Sequence, residues 1–281
     1  MANRENQPLQ MGFGCVKLSS CRSLSQAESI LAAAFDSGLR WFDTAPLYGQ
    51  GYSEAILGRF LKKLNSTDRD AVRVVTKFGL GPSALPRINP RFALPLNYIR
   101  KGLKKTPKVE INQIHTAFRP KALRIITAEY VQKHFEASCR RLQTDKIHGY
   151  LGHECLPHFL TEDAMRYLLN LKELGHVAVL GIGVSAQDLL HADPSGFDPF
   201  DLIQYNADQP EDVVKLNQKF HKQHHVHHSL MKQSHESRST SPSTVLAHHV
   251  SHFPESTVLF SSSKARHIIE NVKVISQHAT D

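Results

Sequence analysis

Cysteine is scarce in this chain. Among 281 residues there are four, Cys15, Cys21, Cys139 and Cys155, and no two form a C-x-x-C pair. That spacing excludes a disulfide framework and reads as thiols of a reducing compartment. No run approaches the roughly 20 apolar residues of a membrane span. Met1 to Gln10 are polar and lack the apolar stretch of a signal peptide. A soluble, cytoplasmic protein is therefore expected. No G-x-G-x-x-G follows any strand candidate, which argues against a doubly wound sheet. The formal charge is +8, yet Lys and Arg are scattered and build no basic block. Neither nucleic acid nor membrane is an expected partner, and the excess charge suits small anions. Internal repeats and long low-complexity linkers are also missing.

What is present is an alternation of short apolar strands with amphipathic helices, the pattern of a parallel sheet with crossover helices. Hydrophobic residues, at 41%, suffice for a sizeable core. Strands are expected at Met11 to Cys15, Leu39 to Asp43, Val72 to Lys77, Lys146 to Leu151, Val177 to Val184, Leu202 to Tyr205, near Val226, and at Thr257 to Phe260. Eight parallel strands in about this length close into a single-domain α/β structure, a (β/α)8 TIM barrel over residues 1–281. Ser25 and Glu28 make an S-x-x-E capping box for the first helix. Further helices start near Ser53, at Thr127 and at Thr161, and span Glu211 to Phe220 and Thr244 to Phe253. Residues 79–126 are rich in proline and poor in periodicity. They read as a long loop over one barrel end, the kind that lines an active site. The polar run Ser234 to Ser243 reads as mobile.

A barrel of this type keeps its active site at the C-terminal ends of its strands. Asp43, Lys77 and His153 sit at such ends, and Tyr48 follows Asp43 in the next turn. Singly, each has an ordinary role as a turn, solvated or packing residue. Together they suit hydride transfer to a carbonyl, which leaves negative charge on oxygen and needs a proton donor. A phenol titrates near 10, too high for efficient acid–base work at neutrality. A neighbouring ammonium lowers that value, and a carboxylate holds the ammonium. Tyr48 is thus the candidate acid–base, Lys77 its tuner, Asp43 the anchor and His153 the polariser of the substrate oxygen.

The run Gly38-Leu-Arg-Trp-Phe-Asp-Thr-Ala-Pro-Leu-Tyr-Gly49, with Ser53-Glu54 and Gly58 after it, resembles the aldo-keto reductase signature. Val74 to Phe78 resembles the segment with the family's lysine, and Arg141 to His153 the one with its histidine. The resemblance implies the barrel fold, the same four catalytic residues and a nicotinamide cofactor. Its NADP-binding habit implies NADP, with NAD as the alternative. Gly183-Val184-Ser185-Ala186 is similar to the family's G-V-S-N, with Ala186 in place of the Asn. Ser185 and Gln204 then hold the carboxamide, and Ser229 belongs to the pyrophosphate loop. The segment Phe260 to Asn271 resembles the family's adenosine-phosphate segment and supplies Ser261, Ser262, Lys264, His267, Glu270 and Asn271. Gly14, at the end of the first strand, joins this cofactor set. Tyr48-Gly-Gln-Gly-Tyr-Ser-Glu54 is similar to the aldose-dehydrogenase branch. A small carbonyl or sugar substrate follows, with no oligomeric state implied. The alternative is a cofactor-binding regulatory subunit of the same fold with little turnover.

Eighteen histidines invite a metal reading. His221, His224, His225, His227 and His228 crowd together and His248-His249 sit on a helix, but scattered directions argue for solvated or packing rings. No metal is expected. Glu154 reads as a solvated loop acid or a support for His153, and Tyr205 as a packing residue.

Overall fold

The computed structural model describes residues 11–81, 125–230 and 241–278. Eight parallel strands close a barrel in chain order: β1 (Met11–Gly14), β2 (Trp41–Asp43), β3 (Arg73–Phe78), β4 (Ile147–His153), β5 (Val177–Gly183), β6 (Leu202–Asn206), β7 (His224–His228) and β8 (Thr257–Phe260). The helices between them are α1 (Leu24–Asp36), α2 (Tyr52–Leu61), α3 (Ser66–Ala71), α4 (Ala128–Leu142), α5 (Glu162–Glu173), α6 (Ala186–His191), α7 (Pro210–Lys219), α8 (Pro242–His252) and α9 (Ala265–His278). The expected (β/α)8 barrel is observed.

Side-chain alternation along the strands builds two cores. Outward residues such as Phe13, Phe42, Phe78, Tyr150 and Ile203 pack against the helices in one large cluster. Trp41, Val75, Leu151, Leu202, Val226 and Leu259 form a second, smaller one. Strand side chains repeat every two residues. Two positions on from Trp41, Val75, Leu151 and Leu202 stand Asp43, Lys77, His153 and Gln204, all buried. One apolar layer thus supports one polar layer at the C-terminal end. The polar residues belong to different strands, yet the pleat gives them one direction.

Caps fix most helix starts. Thr127 accepts from Tyr130 N, Thr161 from Ala164 N and Ser241 from Thr244 N. The first cap differs from the expectation. Ser23, not Ser25, accepts from Gln26 N, and Gln26 Oε1 accepts from Arg22 N at 2.8 Å. The cap lies two residues earlier because Ser23 and Gln26 satisfy the free amides there. Glu28 instead bonds Lys63 on the neighbouring helix at 2.6 Å. The second strand is shorter than expected, and α3 and α6, six residues each, were not foreseen. Of the Pro-rich loop, residues 82–124 lie outside the described residues, as do 231–240 of the expected mobile run. Ser241 to Ser243 belong to the start of α8.

The histidines are a correction in part. His225 and His227 share one face of β7, and α8 brings His249 to them. His225 Nε2 donates to Phe220 O at 3.0 Å. Its bare Nδ1 then accepts from the Tyr205 hydroxyl at 2.9 Å. Tyr205 accepts from His227 Nε2, and His227 Nδ1 accepts from His249 Nε2, each at 2.9 Å. A carbonyl can only accept, so neutral rings have this one consistent orientation. Burial first, then the neighbouring imidazoles, push His227 down to about 2 and His249 to about 4. Among the described residues no three His, Cys, Asp or Glu side chains are set to hold a metal ion.

Candidate active site

Lys77 is the centre of the polar layer. Its Nζ donates to Asp43 Oδ1 at 2.8 Å, to Asp43 Oδ2 at 2.6 Å and to the carbonyl of Thr44 at 2.9 Å. At 2% and 3% exposure both charges are removed from water, a state that persists only with such complete pairing. Burial pushes the Asp43 carboxyl up, and Lys77 and Gln204 draw it back down. The Tyr48 ring lies 5.3 Å from Lys77 Nζ, and its centroid is 6.1 Å from that of His153, edge to face. Asp43, Tyr48, Lys77 and His153 are thus brought together.

Local chemistry sets Tyr48 in place. Thr44 donates to Ser53 Oγ at 3.1 Å, and Ser53 donates to Cys15 O at 2.8 Å, tying the loop after β2 to β1. Gly49 has φ +60°, and a Cβ there would meet Ser19 at 2.1 Å. Gly79, with φ +102°, lets the chain after β3 pass His153 O, where a Cβ would sit at 2.6 Å. Glu54 is fully buried between Thr76, which donates to it at 2.8 Å, and Arg141. Sequence reasoning used Glu54 only within the family-like motifs and missed this clamp beside Lys77. No local pattern marks it, because both partners come from other elements.

The expectation that Lys77 lowers the Tyr48 phenol is not met. Burial pushes it well above its ordinary value, and the charges of Asp43, Cys15 and Glu154 add to that. The ammonium is spent on Asp43 and Thr44 and sits over the ring face, so the hydroxyl is held protonated.

The cofactor candidates fall into three groups. Gln204 stands in the polar layer. Its Nε2 donates to Asp43 Oδ2 at 3.1 Å, and its Oε1 is buried with no hydrogen-bond partner among the described residues. Ser185 caps α6, accepting from Asp188 N at 3.1 Å and donating to the Asp188 carboxylate at 2.6 Å. Ala186 N is bonded by Asn206 Oδ1 at 3.0 Å, a contact not foreseen. Ser261 donates to Gly14 O at 2.7 Å, and a Cβ on Gly14 would strike Ser261 Oγ at 2.5 Å. Lys17, also not foreseen, donates to Ser261 O at 3.3 Å. Ser262 is bonded to the backbone of Lys264. Lys264, His267 and Glu270 are exposed at the start of α9, and Asn271 is buried. Ser229, with φ +65°, follows β7 and bonds His228 Nδ1 at 2.8 Å.

The described residues thus form a closed eight-stranded barrel with a Lys–Asp pair, a tyrosine and a histidine at its mouth. Residues 10–208 match the Aldo/keto reductase family, and the chain belongs to that family. It is 24% identical over 216 residues to "Probable aldo-keto reductase 1" of Glycine max, covering 74% of this chain and 51% of that protein. It is 43% identical over 72 residues to D-threo-aldose 1-dehydrogenase of a Pseudomonas species, 25% of this chain and 21% of that one. The chain thus spans about half, or less, of these relatives. Among solved structures, an aldo-keto reductase from Bacillus halodurans in its holo form superposes with a TM-score of 0.62 at 18% identity, covering 96% of this chain and 91% of that one. One from Klebsiella pneumoniae in complex with NADPH gives 0.61 at 18%, covering 95% and 85%. Among the described residues no helix is long and apolar enough to cross a membrane.

Proposed function

We propose that this protein is an NAD(P)-dependent oxidoreductase that interconverts a carbonyl and an alcohol on an aldehyde, ketone or aldose. The observation that carries the reading is the Lys77 ammonium, bound to both Asp43 oxygens beneath the Tyr48 ring with His153 opposite. A nicotinamide fits the residues present, because the buried Gln204 Oε1 lacks a donor and a carboxamide N–H is one. Bound, a reduced nicotinamide supplies a hydride to the carbonyl carbon. Tyr48, held protonated, gives its proton to the carbonyl oxygen, and His153 orients that oxygen. Asp43 keeps the Lys77 ammonium charged and in place against the Tyr48 ring face, which positions the phenol for that transfer. Gln204 and Ser185 serve the carboxamide. Gly14, Ser261, Ser262, Lys264, His267, Glu270 and Asn271 serve the adenosine half, and Ser229 the pyrophosphate.

The NADPH complex of the Klebsiella structure and the exposed Lys264 support NADP over NAD. The Pseudomonas D-threo-aldose 1-dehydrogenase match supports an aldose among the substrates. Tyr48→Phe is expected to lower turnover by at least about a hundred-fold, with NADPH affinity by fluorescence titration unchanged. Full activity in this variant refutes the role of Tyr48. A second reading, a cofactor-binding subunit with little turnover, has one observation in its favour: the Ser185 hydroxyl is occupied by Asp188 and Ala186 brings no amide. NADPH binding without turnover across an aldehyde and aldose panel would select it.

A further inference from the structure

The opposite end of the barrel holds a cavity of about 500 Å³. Six strands contribute their first residues to it, Met11, Trp41, Arg73, Leu202, His224 and Thr257. Trp41 and Leu202, of the apolar layer beneath Asp43 and Gln204, line it from that side, and it is separate from the catalytic mouth. Its volume lies in the range of small-molecule sites.

We propose that this cavity is a second binding site, for a small planar aromatic carboxylate. Three rings make its aromatic surface. Trp41 lies 5.5 Å from His148 and 6.3 Å from His224, centroid to centroid. Met11, Val179 and Leu202 add apolar walls. Trp41 is buried, and its Nε1 is a donor with no hydrogen-bond partner among the described residues. The Arg73 side chain is exposed and makes no salt bridge among the described residues. Burial first, then its guanidinium, lowers both His148 and His224, and Glu255 draws His224 back up.

The charges select the ligand class. Arg40 is a wall, since its guanidinium donates to Phe35 O and Leu39 O and stacks on Phe35. Asp201 is occupied by Lys172 and by Leu180 N. One guanidinium fork therefore remains, with Glu255 as the opposing charge on the lining. A fork pairs with a carboxylate through two parallel bonds. A multiply charged phosphate would meet Glu255 with too few donors. The aromatic rings and apolar walls favour an aromatic body over a bare anion.

Trp41 is the chain's one tryptophan, so its emission reports this cavity without any use of activity. The test titrates the full chain with benzoate, benzamide and inorganic phosphate, excited at the red edge of the indole band. Benzoate is expected to give a saturable change, with benzamide and phosphate each binding several-fold more weakly. Arg73→Gln is expected to weaken benzoate at least about ten-fold, the loss of a charge-assisted pair. Glu255→Gln, which leaves the strands untouched, is expected to tighten it. An unsaturable response, equal affinity for benzamide or phosphate, or unchanged affinity in both variants overturns the proposal. The outcome is independent of whether the catalytic reading holds.

Discussion

Lowering the pH from 8 to 5 should weaken the fold through the buried rings behind β6 and β7. An imidazole in the unfolded chain takes its proton near 6.5. In the folded chain His249 takes it only near 4, and His227 near 2. Below 6.5 the unfolded state therefore binds more protons, and stability falls as pH falls. The loss is about 1.4 kcal/mol per pH unit for each ring until its folded value is reached. At pH 5 that amounts to about 2 kcal/mol per ring, or about 4 for the two, against a typical total of 5–15. The perturbation that isolates one ring is His249→Gln, whose side-chain amide can still donate to His227 Nδ1. Urea unfolding at pH 8, 7, 6 and 5 reads the difference. The variant is expected to lose about 2 kcal/mol less than the wild type between pH 8 and 5. Equal pH slopes in the two proteins would refute the reasoning, because the hydrogen-bonded chain would then not be holding His249 neutral.

Other outcomes follow from the site. Asp43→Ala strands a buried ammonium and is expected to destabilise the protein by about 3–5 kcal/mol, measured by thermal unfolding. Gly79→Ala places a Cβ at 2.6 Å from His153 O on a backbone at φ +102°; it should cost more than about 1 kcal/mol and lower turnover with NADPH affinity intact. Gln204→Met removes one bond to Asp43 and one unsatisfied oxygen together. Its melting temperature should change little while NADPH affinity falls about ten-fold, the scale of one buried hydrogen bond to an amide.

Much of the barrel could be read from the chain. β8 matches its expected limits, and Thr127 and Thr161 cap where the pattern placed them, because those signals are local. The strand ends Asp43, Lys77 and His153 were also visible, since a polar residue closing an apolar run stands out. Glu54, Asn206 and Lys17 were not, because their partners Arg141, Ala186 and Ser261 lie far along the chain. The His225–Tyr205–His227–His249 chain was missed for a related reason. Scattered directions were expected, whereas the pleat of β7 puts His225 and His227 on one face and the packing of α8 against the barrel brings His249 to them. The Tyr48 phenol was misjudged because burial, the largest effect on it, outweighs an ammonium that Asp43 already neutralises.

Gln204 is where these strands of argument meet. The pleat that puts it above Leu202 also puts Asp43 above Trp41, and the closed barrel brings β6 across to β2. One side chain therefore helps hold the carboxylate that fixes Lys77, while its other end is left without a donor. A buried amide oxygen in that state costs about 1–3 kcal/mol. On the proposed function that donor is the carboxamide of the cofactor, and the geometry of Asp43 and Lys77 and the holding of the carboxamide then depend on the same amide.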